Sequence, residues 1–148
     1  MMSQWAFPVP LVDVAFSEQP DLFVLAQTVL GEAEGEHFRG KVGVAWCVIN
    51  RSRDGRWPKK ISEVCLQPKQ FSCFNKSSPR LKIMREIRRY VSEKTWQDCF
   101  AAATLAYLGL EPDPTGGSNH YVTLETHPRW AKDKEPTSIV GGHKFWKL

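Results

Sequence analysis

Nowhere in its 148 residues does the chain hold a run of roughly 18 apolar side chains, so no membrane-spanning helix can be read from it. The opening stretch, Met1 to Pro10, has neither a basic leader nor an apolar core, and no secretory signal is visible there. Cysteine is sparse and unpaired in pattern. Cys47, Cys65, Cys73 and Cys99 form no Cys-x-x-Cys pair, a spacing that does not read as zinc. Synthesis without a signal suggests a reducing compartment, so all four are read as free thiols, with Cys47 and Cys99 buried as small apolar residues and a disulfide formed after export as the alternative. Internal repeats and low-complexity segments are absent. With 42% apolar and 24% charged residues, the composition excludes a disordered or fibrous chain.

What remains is a chain of the size of one domain, read as a single unit over 1–148 with residues 1–19 as an extension packing on it. Apolar positions Leu22, Leu25, Ala26, Val29, Leu30 and Ala33 fall on one helical stripe, the strongest in the sequence, with Pro20 and Asp21 suited to its first turn. Phe38 to Arg51 reads as a second helix. Ser62 is expected to cap a short one ending at Leu66, Leu81 to Tyr90 reads as another, and Glu93 to Leu108 as the last, capped by Ser92 and stopped by Gly109. The buried side of that last helix is assigned to Trp96, Cys99, Phe100, Ala103 and Leu110. A turn cluster from Glu111 to Gly117 follows, then two extended pieces, His120 to Thr123 and Val140 to Trp146. The expected class is α+β, mainly α, with a small β appendage.

Three carboxylates close the strongest helix, in Gly31-Glu32-Ala33-Glu34-Gly35-Glu36. That is the end where the helix dipole disfavours negative charge. On a helical wheel Glu32 lies at the border of the apolar stripe. Glu36 shares its side if the helix runs on through Gly35, and Glu34 points to water. Partial burial, the dipole and a neighbouring carboxylate each raise the pKa of Glu32. A carboxylic acid still protonated near neutral pH can donate to a leaving glycosidic oxygen, the first requirement of glycoside cleavage. Spacing alone favours the plainer reading, that these glutamates solvate a helix end.

The segment from Leu25 to Arg51 changes that balance. It resembles the opening motif of the SleB/CwlJ-type cell-wall hydrolase family, roughly a Gly-Glu-Ala-Arg-Gly-Glu hexapeptide followed by a helix ending in Asn-Arg, with Glu34 here in place of the arginine. The similarity continues in order through Trp57-Pro58, Gln70-Phe71-Ser72, Asp113 to Gly117, His120-Tyr121, Pro128 to Ala131 and Gly141 to Phe145. The resemblance implies a helical domain similar to lytic transglycosylases and goose-type lysozymes, acting on peptidoglycan glycan strands without a metal or other cofactor. The first glutamate of the hexapeptide, here Glu32, would be the catalytic acid. In such enzymes one carboxylate protonates the bond between N-acetylmuramic acid and N-acetylglucosamine, then takes a proton from the muramic acid 6-hydroxyl as it attacks the anomeric carbon. The product is a 1,6-anhydro sugar. A lysozyme-like hydrolysis would need a second carboxylate, for which Glu36, Asp54 and Glu63 are candidates.

For substrate binding the expected residues are Gln70, Phe71, Ser72, His120, Tyr121 and Trp130, with Trp57 beside Trp130 in the cleft and Trp46 and Trp96 in the core. Two rival functions stay open. The excess of cations, +4 overall and concentrated at Lys82, Arg85, Arg88 and Arg89, would suit a basic module that holds wall polymer or nucleic acid without cutting it. His120, His127 and His143 with Glu125 could be imagined as ligands of a zinc amidase, although their spacing matches no short zinc signature. The expected partner is the glycan strand, with no nucleic acid, no stable membrane insertion and a monomeric chain. A lone basic catalytic domain also resembles a phage endolysin, made in the cytoplasm and reaching the wall through a hole opened by a holin-like protein.

Overall fold

Three long helices form the core of the computed structural model, which describes residues 5–68 and 70–148: α1 (Asp21–Ala33), α2 (Phe38–Arg53) and α6 (Glu93–Tyr107). α1 is the central one, packed by α2, α6 and the short α3 (Ile61–Cys65). Every residue from Val24 to Leu30 is buried. A helix buried all round must satisfy its polar side chains internally. The Gln27 amide donates to the Met84 carbonyl at 2.8 Å, while its own oxygen stays unpartnered, and the Thr28 hydroxyl donates to the Val24 carbonyl at 2.9 Å. α6 starts where expected, the Ser92 hydroxyl oxygen accepting the Thr95 N–H at 3.1 Å. It ends as Gly109 turns left-handed at φ +68°. That turn carries Leu110 out to 67% exposure, so Leu110 does not belong to the buried side.

Residues 5–19 lie along this core. Trp5, Phe7, Val9 and Phe16 pack against it, and the Trp96 indole N–H donates to the Pro8 carbonyl at 2.8 Å. The first four residues of the extension lie outside the described residues.

Two local expectations are corrected. Ser62 lies inside α3 and does not cap it; its N–H donates to Asp21 Oδ1 at 3.1 Å, so the first residue of α1 also serves the start of α3. Lys60 reaches the same oxygen at 3.0 Å. The stretch 81–90 is not one helix but two, α4 (Leu81–Arg85) and α5 (Ile87–Tyr90), broken at Glu86 with φ −130° and ψ 62°. Lys82, Arg85, Arg88 and Arg89 recur at i,i+3 and i,i+4 spacing, and such stacked like charges disfavour a continuous helix.

The appendage is a three-stranded antiparallel sheet of β1 (His120–Thr123), β2 (Ser138–Val140) and β3 (His143–Trp146), in the order β1-β3-β2. The second extended piece is therefore a hairpin, reversing at Gly141-Gly142, where Gly141 takes φ +58°. Its turn sits on Glu36: the Gly142 N–H donates to Glu36 Oε2 at 2.9 Å. Behind the sheet, Asn50 of α2 donates to the Ser118 carbonyl and to Asp113, both at 2.9 Å. Asp113 in turn accepts from the Thr115 N–H at 2.8 Å, the Thr115 hydroxyl at 2.6 Å and the Gly117 N–H at 3.0 Å, which holds the 113–117 turn against α2.

All four cysteines are buried free thiols. Burial pushes each thiol up to about 12.

The hairpin turn leaves no room for a side chain. A Cβ on Gly142 would run into the Glu36 carboxylate. Gly142→Ala should therefore push the Glu36 side chain aside and destabilise the protein by about 1 kcal/mol, the worth of the hydrogen bond it breaks, read as a lower midpoint in urea unfolding. Glu36→Gln, which keeps one acceptor oxygen for the Gly142 N–H, should cost about 1 kcal/mol.

Candidate active site

The C-terminal end of α1 faces β1 across a cleft of about 290 Å³. Glu32 lines it from α1, Arg51 from α2, and Gln70 and Phe71 from the segment after α3. Tyr121, Val122 and Thr123 line it from β1, Thr126 from the loop beyond, and His143 from β3. Glu32 is the one carboxylate in this lining. Close packing brings the walls together: a Cβ on Gly31 would lie 2.5 Å from Cys73 Sγ, so only glycine lets the 71–75 segment press onto the end of α1 beside Glu32. Phe71 is 3% exposed there, part core and part cleft wall.

Glu32 is half-buried, and burial raises its pKa against the opposing pull of Arg80 and then Arg51. Arg80 holds its place by an ion pair with Glu34 at 2.9 Å, so the glutamate that stands where the family has arginine recruits a cation to the rim. Arg51 is buried, one of two buried cations of α2 with Lys41. Its guanidinium lies over the Trp57 and Phe71 rings at 5.5 and 5.6 Å. Its Nε donates to the Asn119 carbonyl at 2.7 Å and its Nη1 to the Gln70 side-chain oxygen at 3.3 Å.

Across the cleft, burial first and then the nearby Glu32 hold the Tyr121 phenol well above the ordinary tyrosine range, so it remains a hydroxyl donor. Its ring meets His143 edge-on at 5.3 Å. Burial lowers the pKa of His143, opposed by Glu36 and Glu125, which favours the neutral ring. Its Nδ1 lies 3.2 Å from Glu36 Oε1 but out of line for a hydrogen bond.

The remaining sequence candidates fall elsewhere. α1 stops at Ala33, so Glu36 leaves the face of Glu32 and is taken up by the hairpin turn. Asp54 is paired with Arg56 at 2.7 Å, and Glu63 stands exposed on α3. Ser72 is exposed at the start of a 3-10 turn and does not line the cleft. His120 sits between Trp57 and Trp130, with ring centroids at 5.8 and 5.0 Å, and Trp130 continues the stack to Trp146 at 5.2 Å. The three histidines 120, 127 and 143 are not gathered; among the described residues no three His, Cys, Asp or Glu side chains form a metal-ligand group.

A family model described as Cell Wall Hydrolase matches residues 35–146, a span that begins just after Glu32. The chain belongs to the cell wall hydrolase family. Relatives of this cell wall hydrolase include the spore cortex-lytic enzyme of Halalkalibacterium halodurans, 28% identical over 126 residues that make up 84% of this chain and 34% of the relative. The spore cortex-lytic enzyme of Bacillus cereus is 26% identical over 130 residues, 87% of this chain and 45% of the relative. The chain thus spans less than half the length of these relatives. Among solved structures, the catalytic domain of the germination-specific lytic transglycosylase SleB from Bacillus anthracis matches with a TM-score of 0.66 at 26% identity, covering 88% of this chain and 96% of that one. The catalytic domain of the Bacillus cereus SleB protein matches with the same TM-score and identity, covering 86% and 89%. The fold of this cell wall hydrolase is therefore the mainly helical, lysozyme-like one.

Arg80 offers a direct test of the electrostatics. Removing its charge as Arg80→Gln should raise the pKa of Glu32, so the carboxyl keeps its proton to higher pH. Carbon-detected NMR titration of the Glu32 carboxyl reads this; no movement would mean that Arg80 is screened from it.

Proposed function

We propose that this cell wall hydrolase cleaves the β-1,4 bond between N-acetylmuramic acid and N-acetylglucosamine in peptidoglycan, as a lytic transglycosylase with Glu32 as its general acid and base. The observation that carries the reading is the isolation of Glu32: a half-buried carboxyl with its pKa raised by burial, the one acid in a cleft otherwise lined by neutral and cationic side chains. The membership of the family and the likeness to SleB catalytic domains support it.

In the first half of the reaction Glu32 gives its proton to the glycosidic oxygen as the C1–O bond breaks, and N-acetylglucosamine leaves as an alcohol. The carboxylate formed is then stabilised by Arg51 and Arg80, the same cations that oppose the rise in its pKa. In the second half it takes the proton of the muramic acid 6-hydroxyl while that oxygen bonds to C1, closing the 1,6-anhydro ring and restoring the acid. The nucleophile is tethered to the sugar, so its effective concentration is high and no second carboxylate is required. In this reading Tyr121, which lines the cleft and is kept protonated, donates to an N-acetyl carbonyl or to charge developing at the ring. Gln70 is tied to Arg51 and offers its amide N–H groups to sugar hydroxyls. Lysozyme-type hydrolysis of the same bond is disfavoured by the positions of Glu36, Asp54 and Glu63 outside the cleft.

Digestion of purified peptidoglycan followed by mass spectrometry of the soluble fragments tests the proposal. Fragments lacking a reducible muramic end, each lighter by one water than a hydrolytic product, are expected. Glu32→Gln should lower their rate of release by at least about 10²-fold while unfolding at an unchanged temperature. Reducible ends would instead make the enzyme a lysozyme.

As a donor in its protonated form, Glu32 should give a kcat that falls as pH rises through its raised pKa. In Arg80→Gln that alkaline limb should lie at higher pH, as read from the full pH–rate profile.

A further inference from the structure

A second depression, of about 370 Å³, lies on the outer side of the sheet. Its floor is Trp146, 4% exposed, and its walls include Pro128 and Pro136. Four cations line it, Arg129, Lys132, Lys134 and Lys144, and no carboxylate does. The chain between them is acidic as well as basic, so this sorting needs a cause. Asp133 takes the left-handed conformation at φ +63°, a turn that Asp tolerates better than most residues, and it lets Lys132 and Lys134 both reach the pocket while Asp133 stays outside its lining. Among the described residues none of the four cations has a carboxylate within ion-pair distance. Four unneutralised cations around a rigid aromatic floor favour an anionic ligand.

The pocket adjoins the catalytic cleft through a shared wall. On β3, His143 lines the cleft and the next residue, Lys144, lines the pocket. In the loop after β1, Thr126 lines the cleft and His127 the pocket, and the Lys144 ammonium donates to the Thr126 carbonyl at 3.0 Å across that wall. His143 and Lys144 face opposite sides of β3, which lies between β1 and β2, so a substituent of a ligand in the cleft reaches the basic pocket by crossing β1 and the loop after it.

Given the reading of the cleft proposed above, on which this step rests, the strand that lies there carries such a substituent: a short peptide with several free carboxylates, attached to muramic acid through its lactyl ether. We propose that the pocket formed by Arg129, Lys132, Lys134 and Lys144 is a subsite for the carboxylates of that peptide, so that the enzyme grips a peptide-bearing strand by its branch as well as by its sugars. Stripped strands lose this grip.

The test measures binding to the catalytically inert Glu32→Gln protein, with and without Lys132→Gln plus Lys134→Gln, two exposed side chains away from the cleft. The probes are a disaccharide carrying its intact peptide, the same disaccharide with the peptide removed, the free acidic peptide, and a phosphate-bearing wall polymer. The peptide-bearing disaccharide should bind about fivefold more tightly than the stripped one, with the advantage fading as salt is raised. The double substitution should abolish that difference and weaken the free peptide, leaving the stripped disaccharide unaffected. An unchanged preference in the double variant would overturn the proposal. So would a double variant that loses affinity only for the phosphate polymer, which would give the pocket to that polymer. If neither disaccharide binds while the free peptide still does, the reading of the cleft fails and the basic pocket stands.

Discussion

The Glu36 carboxylate is where the helical body and the sheet are joined. Its Oε2 receives the Gly142 N–H, and the two glycines of the hairpin turn leave a hollow that the carboxylate fills. That joint helps to hold the two walls of the cleft together. Glu32 comes from the helical side, while Tyr121 and His143 come from the sheet, and nothing in α1 alone would make a concave surface. A hydrogen bond to an ionised acceptor is among the stronger ones available, and it is placed where one residue separates helix from turn. Asn50 fastens the other end of the sheet through Asp113 and the Ser118 carbonyl, so the sheet is tied to the helical body both at the β2–β3 turn and just before β1.

Within the cleft, opposing effects set the state of Glu32. Removal from water favours the protonated acid; the guanidinium groups of Arg51 and Arg80 favour the anion. The role proposed for Glu32, giving a proton and then taking one, is served by such a balance, because neither form is stabilised so far that the other becomes inaccessible. Arg51 can be buried because its charge is spread over two aromatic faces and two polar contacts, the Asn119 carbonyl and the Gln70 side-chain oxygen.

Much of this was legible in the residues themselves. The apolar stripe of α1 and the Ser92 cap of α6 are local signals, and the helix bounds follow them within a residue or two. The mainly helical fold with a small sheet was readable from the spacing of apolar residues and turns together with the family motifs. The fate of Glu36 was not. Whether a helix continues through Gly35 is decided by what the next residues can bond to, and the partner, Gly142, lies at the far end of the chain. Leu110 misled because an apolar side chain beyond a left-handed glycine no longer follows the helical period. Arg51 had a visible signal, a cation on a buried helical stripe, whereas Thr123 and Thr126 had none, since loop and edge residues acquire a role only through tertiary placement. The basic pocket stayed hidden for a similar reason: lysines alternating with acids read as a solvated loop until the conformation of Asp133 sorts them.

The four thiols bear on how the molecule survives a change of surroundings. Thiol exchange and oxidation proceed through the thiolate, and burial holds Cys47, Cys65, Cys73 and Cys99 in the protonated form far above neutral pH. No disulfide contributes to the fold, and no thiol at the surface invites one. Folded in a reducing compartment, such a chain can enter an oxidising one with its covalent structure unchanged, whereas the same passage made unfolded would expose four reactive sulfurs at once.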